Sequence, residues 1–191
     1  MKRIVRHNPS WAVLYENEAR LIAEVMGGAA CAIHHIGSTA IPGLQSKPVI
    51  DILLEASSLQ AVDGCAERLA ERGYEARGEY GIYGRRYFSK KLTGQPVGFH
   101  LHAYLAGSFQ IRRHLAFRDY LILKPEIAAR YAALKAGLSF EDGLLKPEYQ
   151  EAKKPFVDGI ALEALSYFDR SDPVTLSREL PTPAPGKGRA P

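Results

Sequence analysis

His35-Ile-Gly-Ser-Thr-Ala-Ile-Pro-Gly-Leu-Gln-Ser-Lys-Pro-Val-Ile-Asp-Ile-Leu-Leu-Glu55 is the stretch on which the reading of this chain turns. A short apolar run ends at His35-Ile36, and a Gly37-Ser38-Thr39 turn follows at once. Pro42-Gly43 makes a second turn, Lys47 stands just before Pro48, and the next apolar run carries one acid, Asp51, in its middle. An unpaired carboxylate inside a buried strand is costly, so Asp51 needs a cation or a metal beside it. Alternation along a strand puts Val49, Asp51, Leu53 and Glu55 on one face. Asp51 and Glu55 are four rises apart, about 13 Å, too far to grip one ion. Glu55 therefore reads as a strand-end surface acid. A salt bridge from Lys47 or Arg86 is the structural alternative for Asp51.

Outward from this stretch, the 191 residues suffice for one domain with a full core, and 46% hydrophobic with 24% charged residues is ordinary for a soluble protein. No apolar run approaches the roughly 18 residues that a membrane span needs. The basic start Met1-Lys2-Arg3-Ile4-Val5-Arg6 has no apolar segment of a secretion signal behind it. Cys31 and Cys65 lie in no Cys-x-x-Cys pair, which argues against a disulfide framework or a structural zinc site. Together these features predict a cytoplasmic protein with no membrane partner. A net charge of +4 suits small anionic ligands, and without a clustered basic stripe it argues against nucleic acid.

Trp11, Leu14, Tyr15, Ile22, Val25 and Met26 recur at helical spacing after Ser10, read as the N-cap, and Gly27-Gly28 ends the helix. Strands follow at 31–36 and 48–54, a helix at 58–72, then strands at 74–79 and 85–91. Val97 to Leu105 alternates: Phe99, Leu101 and Ala103 face one way, and His100, His102 and Tyr104 the other. Helices are expected at 109–123, 125–137 and 147–168. The sum is an α+β domain over residues 1–170: a mixed sheet of about five strands, helices on one side, and a helical C-terminal third. Residues 171–191, with five prolines and little apolar periodicity, read as a disordered tail.

Three constellations carry chemistry. Gly37-Ser38-Thr39 at a strand end can offer N–H groups and hydroxyls to a phosphate, or serve as an ordinary capped turn. His100-x-His102 puts two imidazoles on one face, about 6–7 Å apart, a spacing that serves a shared metal or anion. With Asp51 and His35 on neighbouring strands, the four form a candidate metal set. Residues 77–91 mix glycines, aromatics and cations. There Arg85 or Arg86 could meet phosphate oxygens and Tyr83 could stack on a base, unless the segment is a solvated hairpin. Arg118-Asp119 reads as a helix-face ion pair under aromatics. No Walker sequence and no Gly-x-Ser-x-Gly elbow is present.

His35-Ile-Gly-Ser-Thr-Ala-Ile-Pro-Gly-Leu with Lys47-Pro-Val-Ile-Asp51-Ile closely resembles the signature of the GrpB family. The likeness runs on through Gly84-Arg-Arg-Tyr-Phe, His100-Leu-His102, Leu115-Ala-Phe-Arg-Asp-Tyr-Leu and Tyr131-Ala-Ala-Leu-Lys135 to Tyr149-Gln-Glu-Ala-Lys153. It covers roughly residues 5–168. The resemblance implies a nucleotidyltransferase-like fold of the DNA polymerase beta palm type, in a family without a settled reaction. By that pattern Gly37-Ser38 is the phosphate-holding turn and Asp51 the first metal carboxylate. The chain departs from the pattern where Leu53 replaces a second acid, where His100 and His102 replace a third, and where His34 replaces the family's usual Glu.

The expected function is metal-dependent transfer of a nucleoside monophosphate from an NTP to a small acceptor. Asp51, His100, His102 and His35 would hold Mg²⁺ or Mn²⁺, with Zn²⁺ the further option. Asp51 and Arg86 would be catalytic, and Gly37, Ser38, Thr39, Lys47, Arg85 and Tyr83 would bind substrate. Two alternatives remain open at this level: a non-catalytic module for nucleotide or CoA-type ligands, and a transition-metal phosphoesterase.

Overall fold

The central strand pair explains the placement of everything else. In the computed structural model, which describes residues 4–140 and 146–171, β2 (Val49–Ala56) runs parallel to β5 (Gly98–Leu105). Antiparallel neighbours flank them: β1 (Ala30–Ile36) beside β2, β4 (Arg86–Lys91) beside β5, and β3 (Tyr74–Ala76) on the outer edge. The sheet order is β1-β2-β5-β4-β3. The expected mixed five-stranded sheet is the one found, and the tail expected over 171–191 lies, from residue 172, outside the described residues.

Alternation gives the sheet two unlike faces. On the first, Ile33, Ile50, Ile52, Leu54, Phe99 and Leu101 pack against α1 (Ser10–Met26), α2 (Leu59–Gly64) and α3 (Ala66–Glu71). The helix expected over 58–72 is thus two, parted at Cys65. Ser58 caps the first, its hydroxyl accepting from the Ala61 N–H at 3.0 Å. Helix α1 begins one step earlier than read: Ser10 is inside it, and Asn8 Oδ1 accepts the Ser10 N–H at 3.0 Å.

The second face is apolar only at one end, where Ile36, Leu53 and Tyr104 meet Ile111 and Leu115 of α4 (Phe109–Leu123). Helices α5 (Pro125–Phe140) and α6 (Lys146–Ser171) pack with α4 into a second core that includes Ile41 and Leu44, so the 37–47 connection is clamped between sheet and helices. Arg118 of α4 pairs with Asp119 at 2.6 Å, as read, and its guanidinium also donates to the His35 carbonyl at 3.0 Å. No helix of the described residues is long and apolar enough to cross a membrane.

Candidate functional site

Asp51 stands directly across the β2–β5 ladder from His100, with His102 two residues further along the same face. His100 Nδ1 lies 3.2 Å and His102 Nε2 3.7 Å from Asp51 Oδ1. One ligand atom from each falls within 4.8 Å of the others, and all three side chains are partly open to solvent. Burial pushes the Asp51 carboxyl up, but the two imidazole N–H groups outweigh it and hold the acid well below the usual carboxylate range. The acid is therefore ionised and aimed between two imidazoles. One carboxylate with two imidazoles suits Mn²⁺ or Zn²⁺ better than Mg²⁺, which favours an all-oxygen shell.

The turn beside Asp51 requires glycine for two reasons. Gly37 has φ 71° and ψ −171°, and a Cβ there would collide with Asp51 Oδ2 and stand 3.0 Å from Asp51 Cβ. The carboxylate thus rests on bare backbone at the mouth of a 3₁₀ turn over Ser38–Ala40.

The other expected residues divide. His35 pairs with Ile52, not Asp51, so it lies on the opposite face of the sheet. Its ring stacks on Tyr15 at 4.7 Å, and its Nε2 is 3.0 Å from the Thr39 hydroxyl. Desolvation holds its pKa down to about 4. The four-ligand set with His35 is not assembled, because adjacent residues of a strand point opposite ways. Thr39 is buried, and its hydroxyl donates to the Val49 carbonyl at 3.1 Å, which ties the turn to β2. Glu55 is not a free surface acid: its Oε1 is 2.8 Å from His34 Nε2.

Arg85 and Arg86 lie in different surroundings. Arg86 lies on the α2 side of β4 and forms a bidentate pair with Asp63, at 2.6 and 2.9 Å, away from the Asp51 group. Arg85 is buried, donates to the carbonyls of Glu79 and Tyr80, and puts Nη1 3.4 Å from His102 Nδ1. A guanidinium has no acceptor, so that contact presents the His102 Nε2–H toward Asp51. Tyr83 is 93% exposed in the loop before β4. Tyr87, stacked on Tyr80, covers both histidines edge-on at 5.5 and 5.1 Å.

The larger surprise lies across the turn. Lys135 of α5 is 4% exposed, and its Nζ donates to Ser38 Oγ at 3.1 Å and to the Gln45 carbonyl at 2.6 Å. It sits 4.6 Å over the Tyr131 ring, and Tyr131 also bonds Ser38. Lys47 lies 3.7 Å over the Tyr149 ring of α6, and Lys153 lies 5.5 Å from the same ring. Three elements thus bring three lysines to one serine turn beside Asp51. Burial and the neighbouring Lys153 ammonium pull the Lys135 pKa down to about 7, and burial lowers Lys153 too, against the pull of Asp51. Lys135 and Lys153 were missed as site residues, although each follows a tyrosine by four residues, a spacing that puts both on one helix face. His114 was also missed. It lies on α4 with its ring 5.9 Å from that of His102, and burial with the His102 and Arg113 charges pushes it down to about 3.

Relatives share this frame. The protein YqkA of Bacillus subtilis is 41% identical over 154 residues, covering 81% of this chain and 44% of its own length, so the chain spans less than half of that relative. The crystal structure of the conserved protein GrpB from Enterococcus faecalis superimposes with a TM-score of 0.80 at 34% identity, over 86% of this chain and 98% of that one. Terminal uridylyl transferase 4 from Trypanosoma brucei with bound dUTP gives a TM-score of 0.51 at 14% identity, over 87% and 55%, a likeness of fold alone. The fold is nucleotidyltransferase-like. The family model described as GrpB protein matches residues 2–163, and the chain belongs to the GrpB family.

Proposed function

We propose that the protein is a metal-dependent nucleotidyltransferase that moves a nucleoside monophosphate from an NTP to a small hydroxyl-bearing acceptor. The observation that supports it is the meeting of two chemistries across Gly37-Ser38: an ionised acid with two imidazoles on one side, three lysines on the other. Ser38, Lys47, Lys135 and Lys153 hold the β- and γ-phosphates and offset the charge that builds on departing pyrophosphate. Asp51, His100 and His102 are the residues that would hold Mn²⁺ or Zn²⁺, which when bound supplies Lewis-acid polarisation of the phosphoryl oxygens. The acceptor oxygen bonds to the α-phosphorus, the bond to the bridging β-oxygen breaks, and the acceptor proton leaves to solvent or a nearby base.

Calorimetric binding of ATP, GTP, CTP and UTP with and without Mn²⁺, to wild type and to Asp51→Asn, tests the reading. Metal-dependent binding of at least one NTP, lost in the variant while the melting temperature stays within a few degrees, is expected. Binding of the same strength in both proteins would overturn it. One observation favours a second reading, a binding module without turnover. Leu53, where a second acid would stand, is fully buried against Ile36, Tyr104, Ile111 and Leu115. A module would bind nucleotide equally well in the presence of a chelator.

A further inference from the structure

Lys135 brings a lone pair, as well as charge, to the serine turn. Ser38 follows Gly37 at the head of that turn and stays partly open to solvent. The Lys135 Nζ stands 3.1 Å from its Oγ and is held there by the Gln45 carbonyl at 2.6 Å and by the Tyr131 ring at 4.6 Å. A buried amine set against a serine hydroxyl, and oriented by a third group, is the geometry of an activated nucleophile in which the amine takes the hydroxyl proton.

Tyr131 also bonds that hydroxyl, but the two differ as bases. Burial pushes the Tyr131 phenol well above its usual range, so it stays protonated. Burial and the Lys153 charge draw Lys135 the other way, to about 7, so much of it is a neutral amine at neutral pH. Around it stand Tyr131 on its own helix, Lys153 and Tyr149 on α6 and Lys47 ahead of β2, while Asp51 acts on Lys153 and Tyr131 across the turn. Lys47 and Lys153, at 3.7 and 5.5 Å from the Tyr149 ring, supply cations for the oxygens of an attacked phosphoryl group. In the step itself, Ser38 Oγ bonds to phosphorus and its proton passes to Lys135 Nζ. The bond from phosphorus to the leaving oxygen breaks, and the leaving group departs as an anion with that electron pair.

We propose that Ser38 is a nucleophile with Lys135 as its base, and that it takes a phosphoryl group from an anhydride of phosphoric acid. The step needs neither metal nor nucleotide, so it stands or falls apart from the transferase reading. The full chain is incubated in chelator with two probes: diisopropyl fluorophosphate, which is uncharged, and acetyl phosphate, which is anionic. Mass spectrometry places a diisopropylphosphoryl group on Ser38 from the first and a phosphoryl group on Ser38 from the second. The fluorophosphate rate rises through about pH 7, and the acetyl phosphate rate rises at higher pH, because a bound anion keeps the proton on Lys135. Lys135→Arg keeps a cation and its donors but cannot give up a proton, so both rates fall about 100-fold while the melting temperature stays within a few degrees. Lys153→Met removes the neighbouring charge and moves the fluorophosphate inflexion upward.

An unlabelled Ser38, labelling at another residue, or equal rates in Lys135→Arg overturns the proposal. So does a Ser38 that reacts with the fluorophosphate but is acetylated or left bare by acetyl phosphate. ATP and Mn²⁺ titrations of the same samples report separately on the transferase. A wild type that binds no nucleotide yet phosphorylates Ser38 upholds the pair and removes the transferase reading.

Discussion

The two halves of the site are built on opposite electrostatic plans. On the sheet, one carboxylate faces two imidazole N–H groups, and the charge is met locally. On the helices, Lys135 is buried close to Lys153, and like charge crowds like. The first arrangement can stand by itself. On the transferase reading, phosphate joins the second, at the serine turn beside Asp51. A nucleotide with a metal matches both plans at once, since it brings phosphate to one half and a cation to the other.

The sharpest way to break this pairing is at the seam. Gly37→Ala puts a methyl into the Asp51 carboxylate and forces a non-glycine residue into φ 71°. Backbone strain of that kind costs about 1–3 kcal/mol, and the acid must also swing off its imidazoles. Binding of Mn²⁺ is expected to fall by at least 100-fold, with a melting temperature lower by several degrees. Unchanged Mn²⁺ affinity would show that the turn does not position the acid.

Next in size is the helical half. Lys135→Met keeps the length of the chain and removes the ammonium, and affinity for inorganic pyrophosphate should fall about ten-fold. Proton linkage sharpens the test. Because the folded Lys135 loses its proton near pH 7 instead of 10.5, a bound anion must draw a proton back onto it at pH 8. Calorimetry in buffers of different ionisation enthalpy should show uptake by wild type and less by Lys135→Met. Equal uptake would place the linkage elsewhere.

The same contrast marks what could be read from sequence. Strand faces follow a period of two, so Asp51, His100 and His102 were legible as one group once β2 and β5 were taken as neighbours. The same rule excludes His35, one residue out of phase with Ile36, which pairs with Asp51. Its misplacement came from counting neighbouring strands without fixing the register. The lysine cluster depends on how α5 and α6 dock on the 37–47 connection, which local periodicity does not encode. Only the repeated Tyr-x-x-x-Lys spacing hinted at it. Arg85 and Arg86 could not be told apart from sequence, because the start of β4 sets which of two adjacent residues faces which side.

Acid should destabilise the fold through two buried histidines, one on β1 and one on α4. His35 and His114 have folded pKa values held down to about 4 and about 3, chiefly by burial, so below pH 6.5 the unfolded chain binds more protons than the folded one. Their neutral-state stability is complete above pH 6.5 and is lost as pH falls toward those values. His35 alone accounts for about 3 kcal/mol over that range. Asp51 adds little there, since its folded pKa lies far lower. A melting temperature flat between pH 5 and 7 would contradict this, whereas His35→Gln should flatten the curve.

The smallest effect separates the two arginines. Arg86→Ala breaks the half-exposed pair with Asp63, which costs up to about 1 kcal/mol and leaves metal affinity unchanged. Arg85→Gln should do the reverse and tighten metal binding a few-fold. With Arg85 donating to His102 Nδ1, the Nε2 atom nearest Asp51 carries the proton, so His102 must change tautomer before it can ligate through Nε2. A glutamine carbonyl in place of the guanidinium accepts from Nδ1–H and favours the tautomer whose Nε2 lone pair faces the acid. Weaker Mn²⁺ binding in Arg85→Gln would mean that His102 is no ligand, leaving its imidazole as a hydrogen-bond partner of Asp51 alone.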